Sequence, residues 1–254
     1  MVALADLLSL FSPISIEEMS AVKLMNRVDT KYIVTLAQLP AVLTALQSDY
    51  YVQEINNKRV AHYQTLYYDT SDCQMYLAHH NRKLHRQKLR ARLYCDSQDA
   101  FCEIKNKNNK KRTKKKRISI LPTQFFNMLN DSNVKEFVNN NLQYSIQLLL
   151  PVLENAFDRI TLVNYSKTER LTVDLHLSFY NHATSKRAEI PELVIIELKQ
   201  DGLCPSFFKE LLLQMRIPAK RISKYCLGTI LTNPMIKQNR FKKKLRYIQK
   251  IINN

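Results

Sequence analysis

Glycine is nearly absent: the 254 residues contain two, Gly202 and Gly228. P-loops and dinucleotide-binding turns cradle phosphate with closely spaced glycines, so both are excluded. Any phosphate must be held by side chains. The five cysteines (Cys73, Cys95, Cys102, Cys204, Cys226) are scattered, odd in number and without CxxC spacing. They are expected to be reduced thiols, mostly buried, in a cytosolic protein. No run approaches the ~18 apolar residues of a membrane span. The N-terminal MVALADLLSLFSPI carries Asp6, no basic leader and no small-residue cleavage site, so no secretory signal is expected. Acidic residues are scarce too, 22 against 39 Lys plus Arg, which gives a net charge of +17 and a pI near 9.7. None occurs between Glu103 and Asp131 or after Glu210. That excess points to a polyanionic partner, whether nucleic acid, phosphate chains or an anionic membrane surface. It carries no information about fold.

What is present is a set of alternating strands. In Lys83 to Lys105 (KLHRQKLRARLYCDSQDAFCEIK), Lys88, Arg90 and Arg92 share one side, and Leu89, Ala91 and Leu93 the other. A turn at Asp96 to Asp99 leads to a second strand in which Glu103 and Lys105 share a face. Further strands are predicted over 27–34, 62–69, 114–120, 158–163, 170–175 and 193–199. Short helices are predicted over 3–25, with Ser15 as N-cap, then over 36–48 and from Thr70-Ser71-Asp72 to His80. Short helical pieces fill 122–149; Pro205 opens a helix to Met215, and Ser223 caps another to Leu231. A basic tail helix follows, with Phe241, Leu245 and Ile248 spaced for one face. About eight strands, mostly hairpin-connected, suffice to close a small antiparallel barrel. The length suits one large domain.

Nearly every strand carries charge on one face and apolar residues on the other. Two architectures fit. The charges face solvent around an apolar barrel core, or they face inward and helices cover the apolar outside. The inward arrangement would bind a phosphate chain strongly, since low-dielectric walls amplify each charge pair. Glu197, in the apolar LVIIELK strand, needs a partner if buried. That partner is a cation such as Lys199, or a divalent metal completed by phosphate oxygens. The six histidines lack metal-ligand spacing, and His79, His80 and His85 read as surface residues. The run 106–117 (NKNNKKRTKKKR) reads as a solvated loop or disordered arm that continues into a strand.

These segments, in order, resemble one family. They are RVDTKY from Arg27, TLYYDT from Thr65, KLRARLY from Lys88, EIK from Glu103 and KKRI from Lys115. Arg159, RLTVD from Arg170, VIIELK from Val194 and SKY from Ser223 complete the set. The set is similar to the VTC-type polyphosphate polymerase domain of the CYTH-like triphosphate tunnel metalloenzyme superfamily. The resemblance implies an α+β fold: a closed antiparallel β-tunnel of about eight strands, basic inside and covered by α-helices. It implies one tunnel domain over 1–254, with its core in 20–230 and a basic C-terminal helix at 235–254. It further implies transfer of the ATP γ-phosphoryl group to a growing polyphosphate chain, releasing ADP. Lys31, Arg90, Arg92, Lys105, Arg159, Arg170, Ser223 and Lys224 would contact phosphates. Arg27, Lys88, Lys115, Arg117 and Lys199 are additional candidates, and Glu197 would hold Mn²⁺ or Mg²⁺. Glu103 is expected to pair with arginines.

The ExExK motif common in triphosphatase members is absent, with Arg27 and Lys31 on the equivalent strand, which favours the polymerase branch. The regulatory and membrane domains of eukaryotic relatives are likewise not found, as expected of a stand-alone catalytic domain. Two alternatives remain: a tripolyphosphatase or NTPase on the same fold, and a non-enzymatic polyanion or RNA-binding protein. No specific nucleic acid is expected as partner, because Tyr63, Tyr67 and Tyr68 read as packing residues rather than base-stacking platforms. The expected location is cytoplasmic, with peripheral membrane contact through the basic helix as an option.

Overall fold

A computed structural model describes residues 4–20, 27–109, 113–202 and 204–253, leaving aside the side chains of Ser20 and Arg27. Eleven strands join one sheet. Eight follow a single hydrogen-bonded path: β2 (Arg27–Thr35), β11 (Leu193–Asp201), β9 (Glu169–Asn181), β8 (Leu149–Asn164), β4 (Ala61–Thr70), β5 (Arg86–Tyr94), β6 (Asp99–Lys107) and β7 (Thr113–Ile120). Every pairing along it is antiparallel. Three short strands lie off the path. β1 (Pro13–Ile14) runs parallel to β3 (Tyr50–Gln53), which pairs with β8, and β10 (Lys186–Ile190) pairs with β9.

The expected closed ring of strands is not formed. β2 and β7 end the path, and no ladder joins them among the described residues. The reason lies in what occupies the outer edge of β2. Tyr32 bridges Ala219, and the Lys220 amide donates to the Lys31 carbonyl at 2.7 Å. β7 presents Lys114 to Arg117 to solvent, and a lysine-rich edge resists further pairing. The sheet nevertheless curls strongly. Lys105 on β6 lies within electrostatic reach of Lys31 and Glu197, on the two strands at the far end of the path.

The apolar sides of the strands face outward and are covered. Val194, Ile196, Leu198, Val173 and Leu162 pack under α1 (Leu4–Ser9), α3 (Leu39–Leu46) and α6 (Phe207–Gln214). Leu66, Leu89, Ala91, Cys102 and Ile104 pack with Val134 and Val138 of α5 (Ser132–Asn141). Burying each Val, Leu or Ile side chain among these stabilises the fold by about 1.5–3 kcal/mol. Part of the concave face is also apolar. Ile33, Phe157, Leu177 and Ile195 there meet α7 (Lys224–Thr232), with Ile248 of α8 (Lys242–Ile252) and Phe241, just before that helix, behind. The tail is therefore a docked helix. It also overturns the surface placement of two histidines: Phe241 covers the end of α4 (Gln74–His80), so that His80 is 1% exposed and the His79 Nδ1 is buried. His85 is exposed, as predicted.

Local sequence explains the helix starts. Ser15 and Glu18 form a reciprocal capping pair at α2 (Ile16–Ser20). Residues 3 and 21–25 of the helical stretch predicted over 3–25 lie outside the described residues. Asp69 and Thr70, rather than Ser71 and Asp72, receive the first amides of α4. α6 is capped by Ser206 and α7 by Ser223, whose Oγ accepts from the Cys226 amide at 3.4 Å. Gly228 lets α7 lie flat on the sheet. A Cβ there would meet Leu153 Cδ2 at 2.8 Å and the Phe179 ring closer still. Gly228→Ala is therefore expected to lower stability by about 1–2 kcal/mol despite its better helix propensity. Thermal denaturation showing an unchanged or raised Tm would contradict this packing.

Candidate functional site

Register places the charged residues in rows across the concave face. Lys88, Lys105 and Lys115 stand opposite one another on β5, β6 and β7, and so do Arg90, Glu103 and Arg117. On the other wall Arg159 faces Asp174, Glu197 lies between Thr172 and Lys31, and Lys199 lies between Arg170 and Asp29. The N-terminus of α7 adds Ser223 and Lys224 between the walls. Lys88 donates to Ser223 Oγ at 2.8 Å, and Lys224 donates to Asp174 Oδ2. The charges thus face inward.

Two interior carboxylates are locked. Glu103 accepts from Arg90 at 2.7 and 2.6 Å and from Lys115 at 2.8 Å. Burial works to raise its pKa, but Arg90, Arg92 and Lys115 hold it well below the usual carboxylate range. Asp174 takes a two-pronged contact from Arg159 at 2.6 and 2.8 Å, and Lys224 completes its second oxygen. Arg159 and Lys224 likewise overcome the opposing effect of its burial. Glu197 is different. Its ion pairs with Lys31 and Lys199, at 3.8 and 3.6 Å, are too long for hydrogen bonds. Burial again opposes ionisation, yet Lys31, Lys199, Lys105 and Arg159 keep it ionised.

The cations are arranged as receivers. Desolvation pushes Lys224 down to about 7 and Lys105 and Lys199 down to about 8. Arg92 Nε is buried without a hydrogen-bond acceptor; its nearest carboxylate, Glu103, is 3.9 Å away. An orphaned guanidinium N–H in an interior costs free energy that an incoming oxygen would recover. Lys199 donates to Thr172 Oγ1 at 3.0 Å. Arg159 lies 4.8 Å from the Tyr63 ring centre and Lys224 4.1 Å from that of Phe157, so aromatic faces back the cations.

The structure therefore gathers Lys31, Lys88, Arg90, Arg92, Lys105, Arg159, Arg170, Lys199, Ser223, Lys224 and Glu197 on one concave face. Lys115 sits on the rim, half-exposed, and Arg117 is exposed and stacks 4.3 Å from the Phe101 ring centre. The Arg27 side chain lies outside the described residues. Sequence reading missed the anchoring part played by Asp174 and by Asp69. Asp69 is fully buried, accepts the Met75 and Tyr76 amides at 2.8 and 2.9 Å, and receives the Tyr225 hydroxyl beside Lys224. The only sequence signal for it was a carboxylate closing an apolar strand. Among the described residues no three His, Cys, Asp or Glu side chains are grouped to hold a metal by themselves. No helix described is long and apolar enough to cross a membrane.

A family model described as the VTC domain matches residues 26–233. No curated protein matches in sequence. Among solved structures, a "putative adenylate cyclase" from Bacillus halodurans superposes with a TM-score of 0.54 at 15% identity, covering 78% of this chain and 96% of its own. A "putative adenylyl cyclase" from Hippeastrum, described as having a dominant triphosphatase activity, matches at 11% identity and a TM-score of 0.47, covering 81% and 97%. At such identities the Bacillus likeness shows the fold alone.

The depressed lysines set a pH dependence. An empty interior that has shed protons must take them up again to hold a polyanion, and affinity falls about tenfold per pH unit for each proton taken up. Tripolyphosphate affinity, measured by calorimetry in several buffers, is expected to fall between pH 7 and 9 with net proton uptake. Stability of the empty protein runs the other way. Unfolded lysines keep their protons to about pH 10.4, so above pH 7 the unfolded state binds more protons and these sites favour folding increasingly. A flat binding profile without proton uptake would remove these lysines from the site.

Proposed function

The chain belongs to the VTC domain family, and from that premise we propose that it is a polyphosphate polymerase, which moves the ATP γ-phosphoryl group onto the end of an inorganic polyphosphate chain. The observation that carries this reading is the one-sided chemistry of the interior. Its inward-facing cations exceed its carboxylates, Arg92 Nε awaits an acceptor, and Glu197 alone among Glu103, Asp174 and Glu197 is loosely held.

Phosphoryl transfer asks chiefly for alignment and charge stabilisation. A terminal oxygen of the chain forms a bond to the γ-phosphorus, the bond to the β-γ bridging oxygen breaks, and ADP leaves with that electron pair. The attacking oxygen is already ionised at neutral pH, so no general base is required. In this reading Lys31, Arg90, Arg92, Lys105, Arg159, Arg170, Ser223 and Lys224 hold the two phosphate chains in line, with Lys88 and Lys199 beside them. Charge that spreads over the equatorial oxygens in the transition state meets fixed donors. The donor set at Glu197 fits Mn²⁺ or Mg²⁺, which takes one or two carboxylates and fills its other positions with phosphate oxygens and water. A bound ion would supply Lewis-acid charge at the phosphates.

A tripolyphosphatase or NTPase is the second reading, favoured by one feature. Among the described residues no ladder joins β2 and β7, so strands do not seal the concave face against water there. Incubation with ATP and Mn²⁺ separates the two: the polymerase yields polyphosphate and ADP, whereas release of orthophosphate alone would replace it with the hydrolase. Glu197→Gln and Lys224→Ala are each expected to lower turnover by about 100-fold or more with little change in circular dichroism. Full metal-dependent activity in Glu197→Gln would remove the metal assignment.

A further inference from the structure

A second basic site lies outside the interior, on the convex side of the same strands. Along most of β5 and β6 the outward positions are apolar and lie under α5. At one end the pattern changes. Gln87, Asn106 and Lys114 now stand side by side in register, and α5 stops at Asn141. There a cavity of about 410 Å³ opens, walled by His85, Arg86, Lys107, Lys114 and Lys116. Among the described residues that line it, none is acidic and none is Phe, Tyr or Trp.

Its floor is fixed by amides. The Gln87 amide donates to Asn106 Oδ1 at 2.6 Å and to the Asn141 carbonyl at 2.9 Å, and its oxygen accepts the Gln143 amide at 2.7 Å. The Lys116 ammonium is set by Asn141 Oδ1. This is a braced hollow rather than a row of loose lysines.

It is also continuous with the interior. Lys88 and Lys105 face each other inside the sheet, and two residues farther along the strands Arg86 and Lys107 face each other at the rim. The latter pair also lines the outer cavity. Arg86, Lys88 and Lys107 all act on His79, which burial, with these cations and Lys244, pushes down to about 2. A ladder of positive charge thus runs from the interior, over the strand ends, into the outer cavity.

We propose that this cavity is a second polyanion site, which takes the distal stretch of an inorganic polyphosphate chain after it crosses the Arg86–Lys107 rim. The proposal rests on the polymerase reading and extends it from the reacting phosphates to the product. Linear polyphosphate fits better than single-stranded nucleic acid, because the cavity offers charge and amide donors, with the exposed His85 ring in place of a Phe, Tyr or Trp platform for base stacking. Two sites on one flexible chain act with a high effective concentration, so the outer cavity retains the product between additions.

The test is length-dependent binding. The Lys114→Ala/Lys116→Ala protein removes two exposed cations of the cavity and leaves the interior intact. Calorimetry is run with tripolyphosphate, long-chain polyphosphate and a single-stranded RNA. Long-chain affinity is expected to fall about tenfold, with a shallower salt dependence, while tripolyphosphate affinity stays within about twofold and reports intact folding. In synthesis assays the variant's products should be shorter at an unchanged initial rate. Equal losses for both phosphates, or no loss for either, would overturn the outer site alone. Loss confined to RNA would replace polyphosphate as the occupant. Failure of the unaltered protein to bind tripolyphosphate would instead overturn the polymerase reading, and the outer site with it.

Discussion

Like charges gathered on the concave side of a sheet repel, and the rest of the structure accommodates that repulsion. At an effective dielectric near 20, two cations about 4 Å apart oppose each other by about 4 kcal/mol. Glu103 and Asp174 relieve this from within, each drawing cations from two directions. Asp174 does more than neutralise: by holding both Arg159 of β8 and Lys224 of α7, it ties the helix to the sheet. Asp69 makes a second tie, from β4 through the α4 amides to Tyr225. The α7 N-terminus is therefore positioned by buried carboxylates from both sides, which a helix cap alone could not do.

The apolar residues solve a complementary problem. A sheet whose inner face is charged must find its hydrophobic stabilisation elsewhere, so the aliphatic rows face outward under α1, α3, α5 and α6. The inner face is not uniformly polar either. Ile33, Ile195, Phe157 and Leu177 close part of it against α7, and Gly228 permits that contact. The cationic rows thus end at an apolar wall that also excludes water from Lys224 and Tyr225. One short helix both closes part of the interior and presents its site residues.

Much of this was legible in the chain. The alternation around Lys88, Arg90 and Arg92, the Glu197 strand and the Ser223 cap are local patterns, and each recurs in the structure. Period-two alternation names two faces but not which one is covered, and residues distant in sequence decide that. β8 and β9 ran longer than predicted, at 16 and 13 residues, and their pairing shifts register between Ala156 and Asp158. The burial of His80 and of the His79 Nδ1 depended on Phe241, more than 150 positions away. The open ring depended on Ala219 and Lys220 taking the edge of β2, which no strand signal announced.

Arginine and lysine divide the work of the interior. Arginine stays protonated wherever it is buried, so a buried arginine needs a fixed counter-charge. Arg90 and Arg159 have one each, in Glu103 and Asp174. Lysine can shed its proton, and desolvation has already weakened its hold at Lys105, Lys199 and Lys224. An empty interior can thus lower its own repulsion, while an arriving polyanion draws the protons back. Arg92 fits neither pattern: it is charged, buried and loosely paired, with Nε lacking an acceptor. Its charge cannot be released and its counter-charge is incomplete, so a phosphate oxygen is what the surrounding geometry leaves unfilled. The interior is thereby complementary to a ligand more negative than anything the chain places there.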